Sequence, residues 1–303
     1  MQKVIVTGGA GFIGSNLVDK LIDMDIQVSV IDNFSTGRIE NTNKKAHYWK
    51  QDLSNVSVDE LTQFMDGVDV VFHTAAKARV QPSIDDPITY NQHNVNATLN
   101  VLYAAHKAGV KRVVYSASSS AYGDTTEFPT PETAAANPMS PYGLQKYIGE
   151  QYCKVFSEVY GLDTVALRYF SVYGNRMLLE GAYCLVLGIF AKQMLEGKSL
   201  TITNDGKQRR DFTHVDDIVS ANILSATHKD KLNGEVFNVG RGYNYSINAV
   251  ADMFGGKKEY GKKVIEPFET LAQTQKARTV LGWKPTGNLE EWVKNYVEKL
   301  TNE

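Results

Sequence analysis

Two residues in the run "SPYGLQKYIGE" (140–150) have the types and the spacing for acid–base chemistry, Tyr142 and Lys146. At positions i and i+4 they share one face of a helix. A lysine ammonium held near a phenol favours the phenolate and brings the phenol's pKa toward the range of a general base. The spacing alone is not specific: Tyr103 and Lys107, in "YAAHK", have it too. Tyr142, however, starts its helix after Pro138 and Pro141. It follows "VYSASSSAYGD" (114–124), where an apolar strand gives way to Ser118, Ser119 and Ser120. Tyr103 lies in the middle of a long helical pattern with no hydroxyl-rich strand end before it, and is expected to be a surface or packing residue.

A redox partner for such a base is suggested at the start of the chain. "VIVTGGAGFIGSNL" (4–17) places Gly9, Gly11 and Gly14 in a G-x-G-x-x-G pattern, with Gly8 in addition, after a strand and at the opening of a helix. That is the context the motif requires. Glycines allow a tight turn and a close backbone approach to a pyrophosphate, and the helix N-terminus adds partial positive charge. Phe12 and Ile13, between the last two glycines, are expected to face the same ligand. Asp32 ends the second strand, where a carboxylate can accept hydrogen bonds from an adenosine ribose. It would repel a 2′-phosphate, so NAD is expected, with Arg38 keeping NADP open. Asn33 stands beside it. Asp52 and Leu53, at the end of the third strand region, are placed to contact adenine, though an Asp there also serves as a strand-end cap. Ala75 and Ala76, in "HTAA", let the backbone approach the cofactor, and His73 reads as a packed strand residue rather than a base.

Positioning these groups requires strands and helices in alternation. Strand-like runs at Val4–Val6, Val28–Ile31, Val68–Phe72, Val113–Tyr115 and Thr164–Leu167 alternate with helical patterns at Phe12–Met24, Asn91–Ala108 and Tyr142–Tyr160. Such alternation predicts an α/β fold with a doubly wound parallel sheet, of Rossmann type. Beyond about Tyr173 come helices near Leu185–Glu196 and Val215–His228, short strands near Leu200–Ile202 and Val236–Val239, and an amphipathic segment at Leu289–Leu300. They predict a smaller, mixed α/β substrate lobe. The expected division is 1–171 for the dinucleotide domain, with a return segment around 211–240, and 172–303 mainly for the substrate.

Composition removes several function classes. A net charge of −2 over 303 residues offers no basic field for nucleic acid, and Lys257-Lys258 and Lys262-Lys263 read as solvated surface. Cys153 and Cys184 make no disulfide framework, which fits a reducing cytoplasm. No run approaches the ~20 apolar residues of a membrane span, and no signal-peptide pattern opens the given chain. No His, Cys or Asp spacing suggests a metal.

The chain resembles the extended short-chain dehydrogenase/reductase family, more narrowly its NAD-dependent nucleotide-sugar epimerase/dehydratase group. The residues that carry the resemblance are "TGGAGFIGSNL", "HTAA", "DPITYNQHNVNATLNVLYAAHKAGVKRVVYSAS", "SPYGLQKYIGE", "LRYFSVYG", "DGKQRRDFTHVDDIVSANI", "FNVG" and "QKARTVLGWKPT". They span nearly the whole chain. The resemblance implies that Ser118, four residues before Tyr122, bonds the sugar 4-hydroxyl and relays its proton to Tyr142. It implies that Asn94, counted among the cofactor-binding residues, is a buried Asn that supports the helix carrying the active site, and that Arg210 grips the nucleotide diphosphate, by bidentate charge-assisted bonds. It also implies a homodimer through the helices near Val95–Ala108 and Tyr147–Tyr160.

Within this group, dehydratases carry an acidic pair where this chain has Ser119 and Ser120. A hydroxyl is too weak an acid or base near neutral pH for C–O elimination. Ser119 is expected to touch the substrate and Ser120 to line the pocket. The resemblance therefore implies a 4-epimerase of a nucleotide-diphospho-sugar acting through a transient 4-keto sugar. The expected order of substrates is UDP-N-acetylglucosamine/galactosamine, UDP-glucose/galactose, then UDP-glucuronate/galacturonate. A dehydratase or reductase of the same scaffold is the alternative, and a non-catalytic nucleotide sensor the remote one. Ser171 stands where the group usually has Asn, and Gly188 where its "GAY…P" stretch has proline. In the late loop Lys263 and Glu266 replace an Arg-Pro-Gly-acid segment, and Thr270 takes the position that gates pocket size. Replacing Tyr142 by Phe is expected to abolish turnover while NAD stays bound, as measured by cofactor content beside a sugar-conversion assay.

Overall fold

The computed structural model describes residues 1–179, 184–264 and 266–302. The first part of the chain forms β1 (Lys3–Thr7), α1 (Phe12–Asp23), β2 (Gln27–Asp32), β3 (His47–Lys50), α2 (Val58–Phe64), β4 (Val70–His73), α3 (Val80–Asp85), α4 (Pro87–Asn91), α5 (Ala97–Lys107), β5 (Arg112–Ser118), α6 (Pro141–Tyr160) and β6 (Asp163–Tyr169). The rest forms β7 (Val172–Tyr173), α7 (Val186–Leu195), β8 (Leu200–Ile202), β9 (Arg209–Asp211), β10 (Thr213–His214), α8 (Val215–Thr227), β11 (Glu235–Val239), β12 (Asn244–Ser246), α9 (Ile247–Phe254), β13 (Lys258–Tyr260), α10 (Gln275–Leu281) and α11 (Leu289–Asn302).

Seven strands form one sheet in the order β11-β6-β5-β4-β1-β2-β3, and every pairing in it is parallel. Side chains alternate across a strand, and here the alternation separates two cores. Val4 and Val6 of β1 join the core on one face with Leu17, Leu21, Ile218 and Trp283, while Ile5 joins the other with Val101, Leu102, Tyr115 and Phe156. Strand order reverses between β1 and β4, so a crevice opens at the C-terminal ends of these strands, where open α/β sheets bind ligands. The glycine loop, Asp32, the Ala75 segment and Ser118 all leave the sheet at that end. A third core, with Leu187, Phe190, Phe254, Leu289 and Val293, lies under α7, α9 and α11.

The helix that carries Tyr142 and Lys146 is set by its ends. Ser140 caps α6 by accepting from the Gly143 N–H at 3.1 Å, Pro141 fits its first turn, and Gly161 closes it with φ +71°. Its buried face runs Gly143, Lys146, Gly149, Glu150, Cys153 and Phe156. The expected helix over Asn91–Ala108 is not one regular helix. It is the end of α4, a π-helical turn at Gln92–Asn96, and α5. A single extra residue per turn does not disturb an apolar pattern of period 3.6 enough to be read from sequence. The run Val236–Val239, expected among the short strands after Tyr173, is part of β11 and closes the main sheet beside β6.

One buried corner ties that edge together. Arg112, at the start of β5, donates to Asp163 at 2.6 Å and to the carbonyls of Ser225, His228 and Asp230. Asp163 also accepts from the N–H groups of Leu232 and Asn233 at 2.8 and 2.9 Å. Removing one partner of such a pair leaves the other charge buried and uncompensated. Arg112→Ala is expected to lower stability by about 3–5 kcal/mol, read by denaturant unfolding.

Candidate active site

The crevice is a continuous cleft. It runs from Gly8, Gly11, Phe12, Ile13 and Gly14, past Asp32, Asn33, Asp52 and Leu53, along Ala75 and Ala76, to Tyr142 and Lys146. At Gly14 an added Cβ would lie 2.2 Å from the Gly8 carbonyl oxygen, so no side chain fits between α1 and the loop. Asp32 is 7 % exposed. Its carboxylate accepts from the Ala10 and Phe34 N–H groups at 2.9 and 2.8 Å. Burial raises its pKa, and those two N–H groups oppose the rise. Asn33 donates to Asp52 at 3.0 Å, and Asp52 accepts from both the N–H and the hydroxyl of Ser54. Asp52 therefore caps its strand end and lines the cleft at once. A glycine cradle that excludes any side chain, a carboxylate fixed at the end of β2 and an apolar floor fit a dinucleotide.

At the far end Tyr142 and Lys146 face the same cleft. Burial raises the Tyr142 pKa, against a hydrogen bond with Ser118 and the positive charge of Arg79. Ser118 also accepts from the Ser120 hydroxyl at 2.8 Å and the Ser120 N–H at 3.2 Å. Lys146 is 4 % exposed, and burial pushes its pKa down to about 8. Its ammonium lies over the Tyr115 ring, 4.6 Å from the centroid. His73 is locked between the hydroxyls of Thr7 and Thr98 at 2.8 and 3.0 Å, and burial pushes its pKa down to about 3. It is a neutral, packed residue.

The other expected site residues lie off this cleft. Asn94 differs from the remaining expected cofactor contacts. It is 1 % exposed, its amide is taken up by the Lys77 backbone and by Gln145, and it holds the cleft wall from behind. Ser119 and Ser120 form a short turn after β5. The Ser171 carbonyl accepts from the Thr213 N–H, and the Thr270 hydroxyl accepts from the Asp211 N–H at 3.2 Å. Arg210 on β9 is bonded to Glu266. Glu266, expected only as an approximate replacement in the late loop, is thus the residue that orients it. The "GAY" stretch at 181–183 lies outside the described residues. Gly188 sits in α7, where an added Cβ would lie 2.1 Å from the Leu178 carbonyl oxygen, which excludes proline as well as every other side chain.

Residues 4–240 match the family described as the NAD dependent epimerase/dehydratase family. The chain belongs to that family. It is 34 % identical over 315 residues to a UDP-glucose 4-epimerase of Mycolicibacterium smegmatis, with 99 % of each chain covered. Among solved structures it is similar to a UDP-glucose 4-epimerase with UDP-glucose from Thermotoga maritima, with TM-score 0.93, 37 % identity and all of both chains covered. It is also similar to a UDP-N-acetylglucosamine 4-epimerase from Methanobrevibacter ruminantium M1 in complex with UDP-N-acetylmuramic acid. There the TM-score is 0.92 and the identity 36 %, over 99 % of this chain and 98 % of that one.

Several residues of this epimerase/dehydratase site escaped the reading of the sequence. Ser116 lines the cleft and shares a 3.0 Å hydrogen bond with Tyr169, which Asn222 holds at 2.7 Å. Its signal was available: it stands two residues before Ser118 and so faces the same side of β5. Lys77, Met177, Leu178 and Leu185 also line the cleft, from loops whose course no periodicity predicts. Gly14→Ala is expected to weaken NAD retention at least about tenfold, as overpacking against a backbone oxygen forces α1 off the loop. Cofactor content after purification and NAD titration of the stripped protein measure it.

Proposed function

We infer that this protein is an NAD-dependent 4-epimerase of a nucleotide-diphospho-sugar. The observation that carries the inference is a single cleft that joins a dinucleotide groove to Tyr142 and Lys146, in a chain matched end to end by UDP-sugar 4-epimerases. NAD, when bound, supplies the oxidation and reduction at C4. Tyr142 takes the proton of the 4-hydroxyl, with the Ser118 hydroxyl bridging sugar and phenol. Lys146, with its pKa at about 8, is mostly charged at neutral pH and adds positive charge on the helix that carries Tyr142, whose phenol burial holds in the neutral form. The 4-keto sugar then turns over about its diphosphate, which Arg210 grips, and Tyr142 returns the proton on the other face. Ser119 and Ser120 supply no acid or base of the strength an elimination needs, so the 4-keto sugar is not diverted to a dehydrated product.

The segment 1–171, with 211–240, holds the cofactor in this reading, and 172–303 mainly holds the nucleotide. Tyr103, Val155, Val159 and Tyr160 expose apolar surface on α5 and α6, which supports a homodimer through these helices. The two buried free cysteines support a cytoplasmic setting. Among the described residues no helix is long and apolar enough to cross a membrane. The test is proton NMR of the purified protein with UDP-N-acetylglucosamine, UDP-glucose and UDP-glucuronate in turn, with no cofactor added. The C4-inverted sugar is expected from at least one of them. A stable 4-keto product, or net consumption of NADH, would replace the epimerase by a dehydratase or a reductase.

A further inference from the structure

The backbone of Tyr142 is held from outside its own helix. A helix leaves the N–H groups of its first turn without partners inside it. In α6 the neighbours of Tyr142 are settled locally. Pro141 has no N–H, and the Gly143 N–H goes to the Ser140 hydroxyl at 3.1 Å. The Tyr142 N–H donates instead to the Ser83 hydroxyl at 3.1 Å, 59 residues back along the chain. Ser83 is fully buried on α3, and its own proton goes to the Val80 carbonyl at 2.6 Å. A hydroxyl has one proton to give. Here it is spent inside α3, and the oxygen turns a lone pair to α6.

Helix α3 begins where the cofactor wall ends. Ala75, Ala76, Lys77 and Ala78 line the cleft, and α3 opens soon after at Val80. Both backbone groups of Lys77 are bonded to the Asn94 side chain, at 2.8 and 2.9 Å, and the Tyr90 hydroxyl donates to the Ala78 carbonyl at 2.9 Å. Asn94 also donates to Gln145 of α6 at 2.9 Å, and Gln145 donates to the Pro87 carbonyl at 3.4 Å. The wall, α3 and the start of α6 thus form one hydrogen-bonded body, and Ser83 is its link to residue 142 itself. Moving a hydride and a proton at one sugar carbon needs the cofactor and the base in fixed register.

We propose that Ser83 is a positioning residue that registers Tyr142 against the cofactor wall. It is not a cleft-lining residue and acts through the Tyr142 backbone. This rests on the 4-epimerase reading above, which makes Tyr142 the base. A serine that only satisfied the helix end would, when removed, lower stability and leave turnover of the folded protein alone.

The experiment compares the wild-type and Ser83→Ala holoenzymes in two ways: kcat and KM on a UDP-sugar that the wild type epimerises, and the exchange rate of the Tyr142 amide. With KM and bound NAD unchanged, kcat is expected to fall about 10- to 100-fold, the scale of a misplacement of about 1 Å. The Tyr142 amide is expected to be protected in the wild type and to exchange faster in Ser83→Ala. A folded variant with unchanged kcat overturns the proposal, and so does a Tyr142 amide that exchanges equally fast in both proteins. Should Ser83→Ala not fold, Ser83→Cys, which keeps the shape with a weaker acceptor, is read by the same two measures. If the wild type epimerises no UDP-sugar, the 4-epimerase reading falls, and crystal structures of the two proteins then decide on Ser83. A Tyr142 hydroxyl displaced from the cofactor wall in Ser83→Ala supports it, and an unmoved one overturns it.

Discussion

An ammonium group almost out of water is the constraint around which this interior is arranged. Lys146 is 4 % exposed, and an isolated charge at that depth would simply neutralise. The structure holds its pKa at about 8 by surrounding it with compensating groups. The Tyr115 ring presents its face to the ammonium. Glu150, one turn further along α6 and itself 1 % exposed, adds negative charge, and both of its oxygens are taken by Arg168 of β6. Arg168 in turn lies over the Tyr122 ring, 4.4 Å from the centroid, and Tyr122 bonds Asn238 of β11. His73, the nearest titratable group of β4, stays neutral and adds no second cation. Strands β5, β6 and β11 are thus joined behind the cleft by one chain of contacts whose end is the helix that carries Tyr142 and Lys146.

That arrangement separates two electrostatic tasks along one cleft. At the glycine end the work is done by backbone groups and by Asp32, a carboxylate held by N–H donors. At the tyrosine end it is done by charged side chains supported from behind. Ser118 lies where β5 stops and α6 begins to pass overhead, so the hydroxyl and the phenol meet because a strand end and a helix start cross. Ser119 and Ser120 complete that turn, and the Ser120 hydroxyl is spent on Ser118.

The parts legible in the sequence are those in which chemistry and local geometry coincide. The glycine loop must be glycine where α1 packs on it, Asp32 must end a strand, and Ser140, Pro141 and Gly161 mark the limits of α6 in its composition alone. Less legible were features made by contacts distant in sequence. The π-helical turn at Gln92–Asn96 turns Asn94 onto Lys77, and nothing in the apolar pattern of α4 and α5 announces it. Strands β7, β9, β10 and β12 are two or three residues long and pair with one another far from their sequence neighbours, so they show no period. Arg210 was read as a phosphate grip from its surroundings in sequence, but its partner Glu266 comes from a loop 56 residues away.

The corner at Arg112 has a consequence for how the chain comes into being. During synthesis β5 and β6 emerge together with Arg112 and Asp163, yet the carbonyls at Ser225, His228 and Asp230 and the N–H groups of Leu232 and Asn233 are still to be made. Until they arrive, closing β6 onto β5 would bury a guanidinium with most of its donors unmet. The seventh strand lies in the same late stretch. The sheet that holds the cofactor loop is therefore completed only after some four-fifths of the chain has left the ribosome, and the half-made protein has a physical reason to wait with this edge open, exposing a parallel strand to whatever chaperone or neighbour is present.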